Sequence, residues 1–216
     1  MAIDYKKTEK NLYQPGTAPA VIDVPEQLLL RVDGKGDPND PEGEYKSAVE
    51  LLYALSYAIK MMPKGGTTPE GYFEYVVLPL EGYWWLERDV AGDFTAGDFT
   101  DKKKYHWSSV IRQPEFVTEE VFEQAKAIVA RKKPDLPISK AQLVRSREGL
   151  CVQCMHIGPY AEEPATVARM VEFTEQNGMA EDFSQGRRHH EIYLSNPLTT
   201  EPAKMKTILR HPVRKV

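Results

Sequence analysis

Leu30-Arg31-Val32-Asp33-Gly34 and Met155-His156-Ile157-Gly158-Pro159 share a texture. Each closes a strand-like run, and each leads into an acidic, proline-bearing loop and then a helix. After the first helix comes Phe73-Glu74-Tyr75-Val76-Val77, and in the same place after the second comes His190-Glu191-Ile192-Tyr193-Leu194. The order β-α-β-β therefore occurs twice. Two such units predict an α+β fold with antiparallel sheets and helices on one side. A pseudo-twofold axis relating them would leave a ligand cleft between the halves.

Outward from these stretches, the first half covers about residues 26–113 and the second about 138–213, within a single domain, 26–216. Residues 1–25 are polar, with Pro15, Pro19 and Pro25, and read as an extended arm. Gln27–Val32 is a strand. Tyr45, Ala48, Val49, Leu52, Leu55, Ile59 and Met62 fall three and four apart on one helix face, which Pro63 and Gly65-Gly66 end. Tyr72–Leu78 is rich in strand formers, and a polar loop with Gly92 and Gly97 precedes a strand at Lys104–Arg112. A linking helix spans about 118–133, with Thr118 as its N-cap. Gln142–Arg145 and Leu150–Ile157 read as two strands around a tight turn at Arg147-Glu148-Gly149. A third helix runs from about Glu163 to Asn177, and His190–Leu194 and Thr207–His211 complete the strands.

The chain has 216 residues, 28 of them basic and 32 acidic, for a net charge of −4. That balance disfavours a long phosphate backbone as partner. No run approaches the ~20 apolar residues of a membrane span, and Met1–Lys10 offers no apolar stretch for a signal peptide. Two cysteines build no disulfide framework, so the expected compartment is the cytoplasm. Eleven Tyr, seven Phe and three Trp are enough to wall a pocket, though they suit a core equally well.

Candidate chemistry is limited. Cys151 and Cys154 lie on a strand, where a spacing of three sends the sulfurs to opposite faces. His189 and His190 are adjacent and likewise diverge, so neither pair predicts a metal site, and no cofactor motif is present. Asp33-Gly34-Lys35-Gly36 lacks the G-K-[ST] ending of a phosphate loop. Glu191 is more informative. It sits inside an apolar strand, and if Ile192 and Leu194 face the helices, Glu191 shares the other face with Tyr193. A carboxylate among aromatics attracts organic cations or deprotonates a water. The alternative is an acid on a solvated sheet face. Glu74 has the same setting in the first half. Tyr72, Tyr83-Trp84-Trp85 and Trp107 form an aromatic group, and two adjacent tryptophans at a strand exit are awkward to bury together.

Several segments together resemble the stand-alone GyrI-like small-molecule-binding proteins. They are Pro79-Leu80-Glu81-Gly82-Tyr83-Trp84-Trp85, Ile111-Arg112-Gln113-Pro114-Glu115-Phe116-Val117, His156-Ile157-Gly158-Pro159-Tyr160, His189-His190-Glu191-Ile192-Tyr193-Leu194-Ser195, and Ile208-Leu209-Arg210-His211-Pro212-Val213. The resemblance covers about residues 20–216. It implies paired β-α-β-β (SHS2) modules around a ligand cleft, and kinship with effector domains in which a carboxylate inside an aromatic pocket recognises hydrophobic cations. Some stand-alone members are hydrolases that open the cyclopropane ring of cyclopropanoid DNA-alkylating toxins. By this resemblance Glu191, Trp84, Trp85, Tyr160 and Tyr193 are site residues. Tyr83 departs from it, standing where an aliphatic residue is expected.

Three functions follow as expectations. The first is a binder of bulky, planar or cationic hydrophobic molecules with hydrolase activity, Glu191 as general base and Tyr193 stabilising the developing oxyanion. Tyr72, Glu74, Trp84, Trp85, Trp107, His156 and Tyr160 are the expected ligand-binding residues. The second is a drug-sequestering or sensing protein without catalysis. It would not bind nucleic acid directly, because the first 25 residues are too short and proline-rich for a helix-turn-helix. The third is a gyrase-inhibitor-like protein.

Overall fold

A computed structural model describes residues 2–86 and 104–216; the loop expected around Gly92 and Gly97 lies outside the described residues. The strands are β1 (Ala20–Lys35), β2 (Leu80–Leu86), β3 (Tyr105–Arg112), β4 (Gln142–Ile157), β5 (Met179–Glu181), β6 (His189–Tyr193) and β7 (Lys206–Lys215). The helices are α1 (Tyr5–Thr8), α2 (Lys10–Tyr13), α3 (Glu44–Met61), α4 (Glu119–Lys132) and α5 (Glu163–Gln176). The fold is α+β, and the strand pairings are antiparallel.

The sheet runs β4-β1-β3-β2-β6-β7-β5, and β4 also pairs with β7. β4 meets β1 along Gln142–Gln153 and β7 along Cys151–Ile157, so six strands close into a ring, which removes their free edges. Directly opposed residues share a face. Val32, Ser109, Gly82, Glu191, Leu209 and Cys154 therefore form one row across the ring. Asp33, Ser108, Tyr83, His190, Arg210 and Gln153 form the neighbouring row on the other face.

The helices explain which face is which. Ala48, Leu51, Leu52, Leu55 and Ile59 of α3 are buried at helical spacing and pack with Leu28, Leu30 and Val32 of β1. Val167 and Met170 of α5 pack with Val152, Cys154 and Leu209. Both helices thus cover the row that contains Glu191, at its two ends. The opposite row turns into the ring, where the main chain of α2 plugs it: Arg210 donates to the Leu12 carbonyl (3.2 Å) and Gln153 to that of Asn11 (2.7 Å).

Several expectations need revision. Residues 5–13 are not extended; they form α1 and α2, with Leu12 and Tyr13 buried, and β1 already starts at Ala20. Glu9 holds Arg112 through two bonds of 2.7 and 3.0 Å, a long-range pair that no local pattern announces. Tyr72–Leu78 is not a strand. Tyr75 makes an isolated parallel bridge to Ile3, and the paired strand starts after Pro79. No hairpin breaks β4 at residues 147–149. Gly149 takes φ +69° within the strand, while Arg147↔Glu26 and Gly149↔Val24 keep a constant register. The α4 N-cap is as read, with Thr118 accepting from the Val121 amide at 3.3 Å. Cys151 and Cys154 are free and buried, and they lie in different clusters on opposite faces of β4. No described helix is long and apolar enough to cross a membrane.

Candidate functional site

Alternation along β6 sends His189, Glu191 and Tyr193 to the helix-bearing face, and His190 and Ile192 into the ring. The expectation that Ile192 faces the helices is therefore reversed. The ring interior takes Ile192 beside Ile208, and the open stretch between α3 and α5 takes the acid.

Glu191 is held at both oxygens. Tyr193 donates its hydroxyl proton to Oε2 at 2.7 Å, and His189 Nε2 lies 3.0 Å from Oε1. The Tyr193 hydroxyl in turn accepts from Trp84 Nε1 at 3.0 Å. Gly82, opposite Glu191 on β2, makes this convergence possible. A Cβ there would stand 2.6 Å from Trp84 Nε1 and 2.9 Å from the Tyr193 oxygen. Around the carboxylate, Tyr45 of α3 lies over Trp84 (5.6 Å, 33°) and edge-on to Trp107 (5.2 Å, 89°). Tyr160, just before α5, meets Tyr193 edge-on at 5.9 Å. His156 bonds the Thr166 hydroxyl (2.9 Å) and the Pro159 carbonyl (3.2 Å), which pins the turn that presents Tyr160.

The electrostatics suit donors around a base. Burial, then the charge of Glu191, pushes the Tyr193 and Tyr45 phenols well above their ordinary value. Burial, Glu191 and Glu163 bring Tyr160 to about 12. These hydroxyls keep their protons at neutral pH. Burial lowers the His189 imidazole below its ordinary value, against the opposing effect of its hydrogen bond to Glu191, so the ring is neutral.

Of the expected residues, Glu191, Tyr193, Trp84 and Tyr160 come together; Trp107 backs them through Tyr45, and His156 supports from below. Three do not join. Trp85 points to the other side of β2, stacked on His106 (5.8 Å) under the Arg188 guanidinium (5.1 Å). Tyr72 donates to the Lys60 carbonyl and packs on Phe116. Glu74 is exposed, because its segment never enters the sheet. Tyr83 faces into the ring, stacked on His190 at 4.0 Å, so its departure from the resembled pattern does not reshape this site. Among the described residues no group of three His, Cys, Asp or Glu is arranged to hold a metal.

The sequence reading missed Tyr45, which read as one more residue of a helix face, and the role of His189. It also missed a buried ionic group inside the ring. There His190 Nδ1 bonds Glu148 (3.0 Å), and Arg210 bonds Glu148 (2.7 Å) and Gln153 (3.0 Å). His190 Nε2 lies 3.0 Å from Glu81 Oε2, close enough for charge pairing but without hydrogen-bond alignment.

Known proteins share this fold. The family model of the GyrI-like small molecule binding domain matches residues 17–214. A search of curated proteins gave no match. Among solved structures, a hydrolase from Listeria innocua is 49% identical over 98% of this chain and 100% of its own, with a TM-score of 0.87. An uncharacterized conserved protein from the same organism is 50% identical over 98% and 100%, with a TM-score of 0.90. The C-terminal domain of EcmrR shares the fold at 13% identity, covering 92% of this chain and 98% of that one, with a TM-score of 0.52.

Proposed function

The chain belongs to the GyrI-like small molecule binding domain family, and on that premise we propose that it binds flat, hydrophobic or cationic organic molecules beside Glu191 and hydrolyses the cyclopropane ring of cyclopropanoid DNA-alkylating toxins. We read β1-α3-β2-β3 and β4-α5-β6-β7 as tandem β-α-β-β (SHS2) units, with the ligand seated between them. The observation that carries the reading is Glu191 itself, a carboxylate oriented by Tyr193 and His189 within a wall of Trp84, Tyr45 and Tyr160. The hydrolase from Listeria innocua, at 49% identity over 98% of this chain, supports a hydrolytic rather than a purely sequestering role.

In the proposed step Glu191 accepts a proton from water. The water oxygen bonds the strained ring carbon, the ring C–C bond breaks, and its electron pair moves to the conjugated carbonyl oxygen. Aromatic walls hold the planar substrate and limit solvent. The Tyr193 proton is committed to Glu191, so Tyr193 is a positioning residue. The donor to the developing oxyanion is then assigned to Tyr160, at the exposed edge of the group.

Incubation with a cyclopropanoid followed by mass spectrometry tests this. A ring-opened, water-added product is expected from the native protein. Glu191→Gln should keep the ligand and lose turnover by about 10²-fold or more. Recovery of intact ligand from the native protein would leave only sequestration, and unchanged turnover in Glu191→Gln would remove Glu191 from the chemistry.

A further inference from the structure

The bonds around Glu191 do not stop at His189. His189 Nδ1 lies 2.6 Å from His211 Nε2, and His211 Nδ1 bonds Glu181 Oε1. Four titratable side chains from β6, β7 and β5 thus form a line, Glu191–His189–His211–Glu181. Both imidazoles are buried, 0% and 1% exposed in their side chains, while the two terminal carboxylates reach solvent at 12% and 19%. We propose that His189, His211 and Glu181 are a proton relay that connects Glu191 to solvent on the far side of the ligand site.

Proton counting supports this. Three contacts need three bridging protons, and two neutral imidazoles bring two. The filled line therefore holds one more proton and has a net charge of −1. With Nδ1–H on both rings, Glu191 is the acid and Glu181 the carboxylate. With Nε2–H on both rings the roles are exchanged, and every contact is still a hydrogen bond. Passage between the two forms shifts one proton across each contact: Glu191 to His189 Nε2, His189 Nδ1 to His211 Nε2, and His211 Nδ1 to Glu181. No heavy atom moves, no electron is transferred, and one proton leaves Glu191 as one arrives at Glu181. All four ring nitrogens of the two imidazoles are bonded, each within the line. The surroundings keep the line insulated: the Phe183 ring stands edge-on to His211 at 5.2 Å, and Tyr193 covers the other oxygen of Glu191.

The inference rests on the hydrolytic reading. Ring opening releases one proton from water and consumes one at the carbonyl oxygen. Starting with both carboxylates ionised and Nδ1–H on both rings, the proton that Glu191 takes from water fills the line and passes outward to Glu181 and solvent; one inward pass then returns a proton to Glu191 for the carbonyl oxygen and restores both ring tautomers.

Glu181→Gln is the test, because an amide keeps the shape and a hydrogen bond to His211 but cannot exchange the proton. With a cyclopropanoid as substrate, kcat should fall roughly tenfold or more, below the ~10²–10⁴ of a group that meets substrate directly, with KM unchanged. The curved dependence of rate on deuterium content in mixed H₂O and D₂O, expected of several protons moving together, should become linear. Wild-type kcat in this variant would overturn the relay. A second measurement needs no turnover. The imidazole ¹⁵N resonances of His189 should change in Glu181→Gln, because the amide fixes the tautomer of His211 and through it that of His189, although the substitution is two contacts away. An unchanged His189 spectrum would overturn the relay even if the protein is an active hydrolase. Absence of ring opening by the native protein would overturn only the reading beneath it, with the resonance arm still deciding the relay.

Discussion

Glu191 and Gly82 face each other across β6 and β2, and the smallness of one sets the chemistry of the other. Without a side chain at position 82, the Trp84 indole and the Tyr193 hydroxyl settle against the carboxylate. Gly82→Ala forces these groups apart. Overpacking of this kind costs about 1–3 kcal/mol, and here the strain falls on the orientation of Glu191. Ligand turnover should therefore drop about tenfold or more, with only a modest change in unfolding midpoint. Equal kcat in the variant and native protein would show that the Trp84–Tyr193–Glu191 chain does not orient the base. The pairing of Glu191 with Tyr193 was readable from period-two alternation alone. The role of Gly82 was not, since a glycine in a strand signals a close approach without naming what approaches.

At the level of elements, the strands carry two opposite kinds of polar group on their two faces. Inside the ring, Glu148 is desolvated, yet His190 and Arg210 outweigh that cost and hold it at about 2, below its ordinary 4.5. Its stabilising contribution is present above 4.5 and is lost as the pH falls toward 2. It is worth on the order of 3 kcal/mol. His190 is pulled down by burial but raised overall by Glu148 and Glu81, so its contribution is full below 6.5 and fades as pH rises through its native value. His189 acts with the other sign: burial lowers it, and its contribution is full above 6.5 and lost on acidification. Glu148→Gln leaves Arg210 and His190 short of a counter-charge and should cost about 3–5 kcal/mol at neutral pH. Denaturant unfolding of both proteins from neutrality down to about pH 2 checks this. The gap between the curves should close at the acid end, and a constant gap would contradict the assignment. The helices were legible because their apolar spacing and caps are local. β4 was split in two because Gly149 carries a turn signal that continuous pairing with β1 overrides.

Over the whole molecule, the N-terminal segment is part of the fold rather than a tether. Leu12 and Asn11 supply carbonyls to Arg210 and Gln153 inside the ring, and Glu9 pairs with Arg112. Deleting residues 2–13 should lower stability by several kcal/mol, since each buried donor left unpaired costs about 1–3 kcal/mol. Urea unfolding midpoints compare the two chains directly. An unchanged midpoint would show that solvent replaces those carbonyls without penalty.

Patterns confined to one element needed no coordinates. The spacing of α3, the opposed cysteines of β4 and the shared face of Glu191 and Tyr193 follow from periods of 3.6 and 2, and the cap of α4 from the side chain of Thr118. The motif residues also placed the chain in its family. Tertiary structure alone decided that the ring closes through β4 and β7, and that Glu74 and Trp85 stand apart from the site. It alone brought His211 and Glu181 into line with His189. The ring and the line depend on strand register and on pairs more than a hundred residues apart, and a register shift of one residue would send Trp85, His189, His211 and Glu181 to the other face.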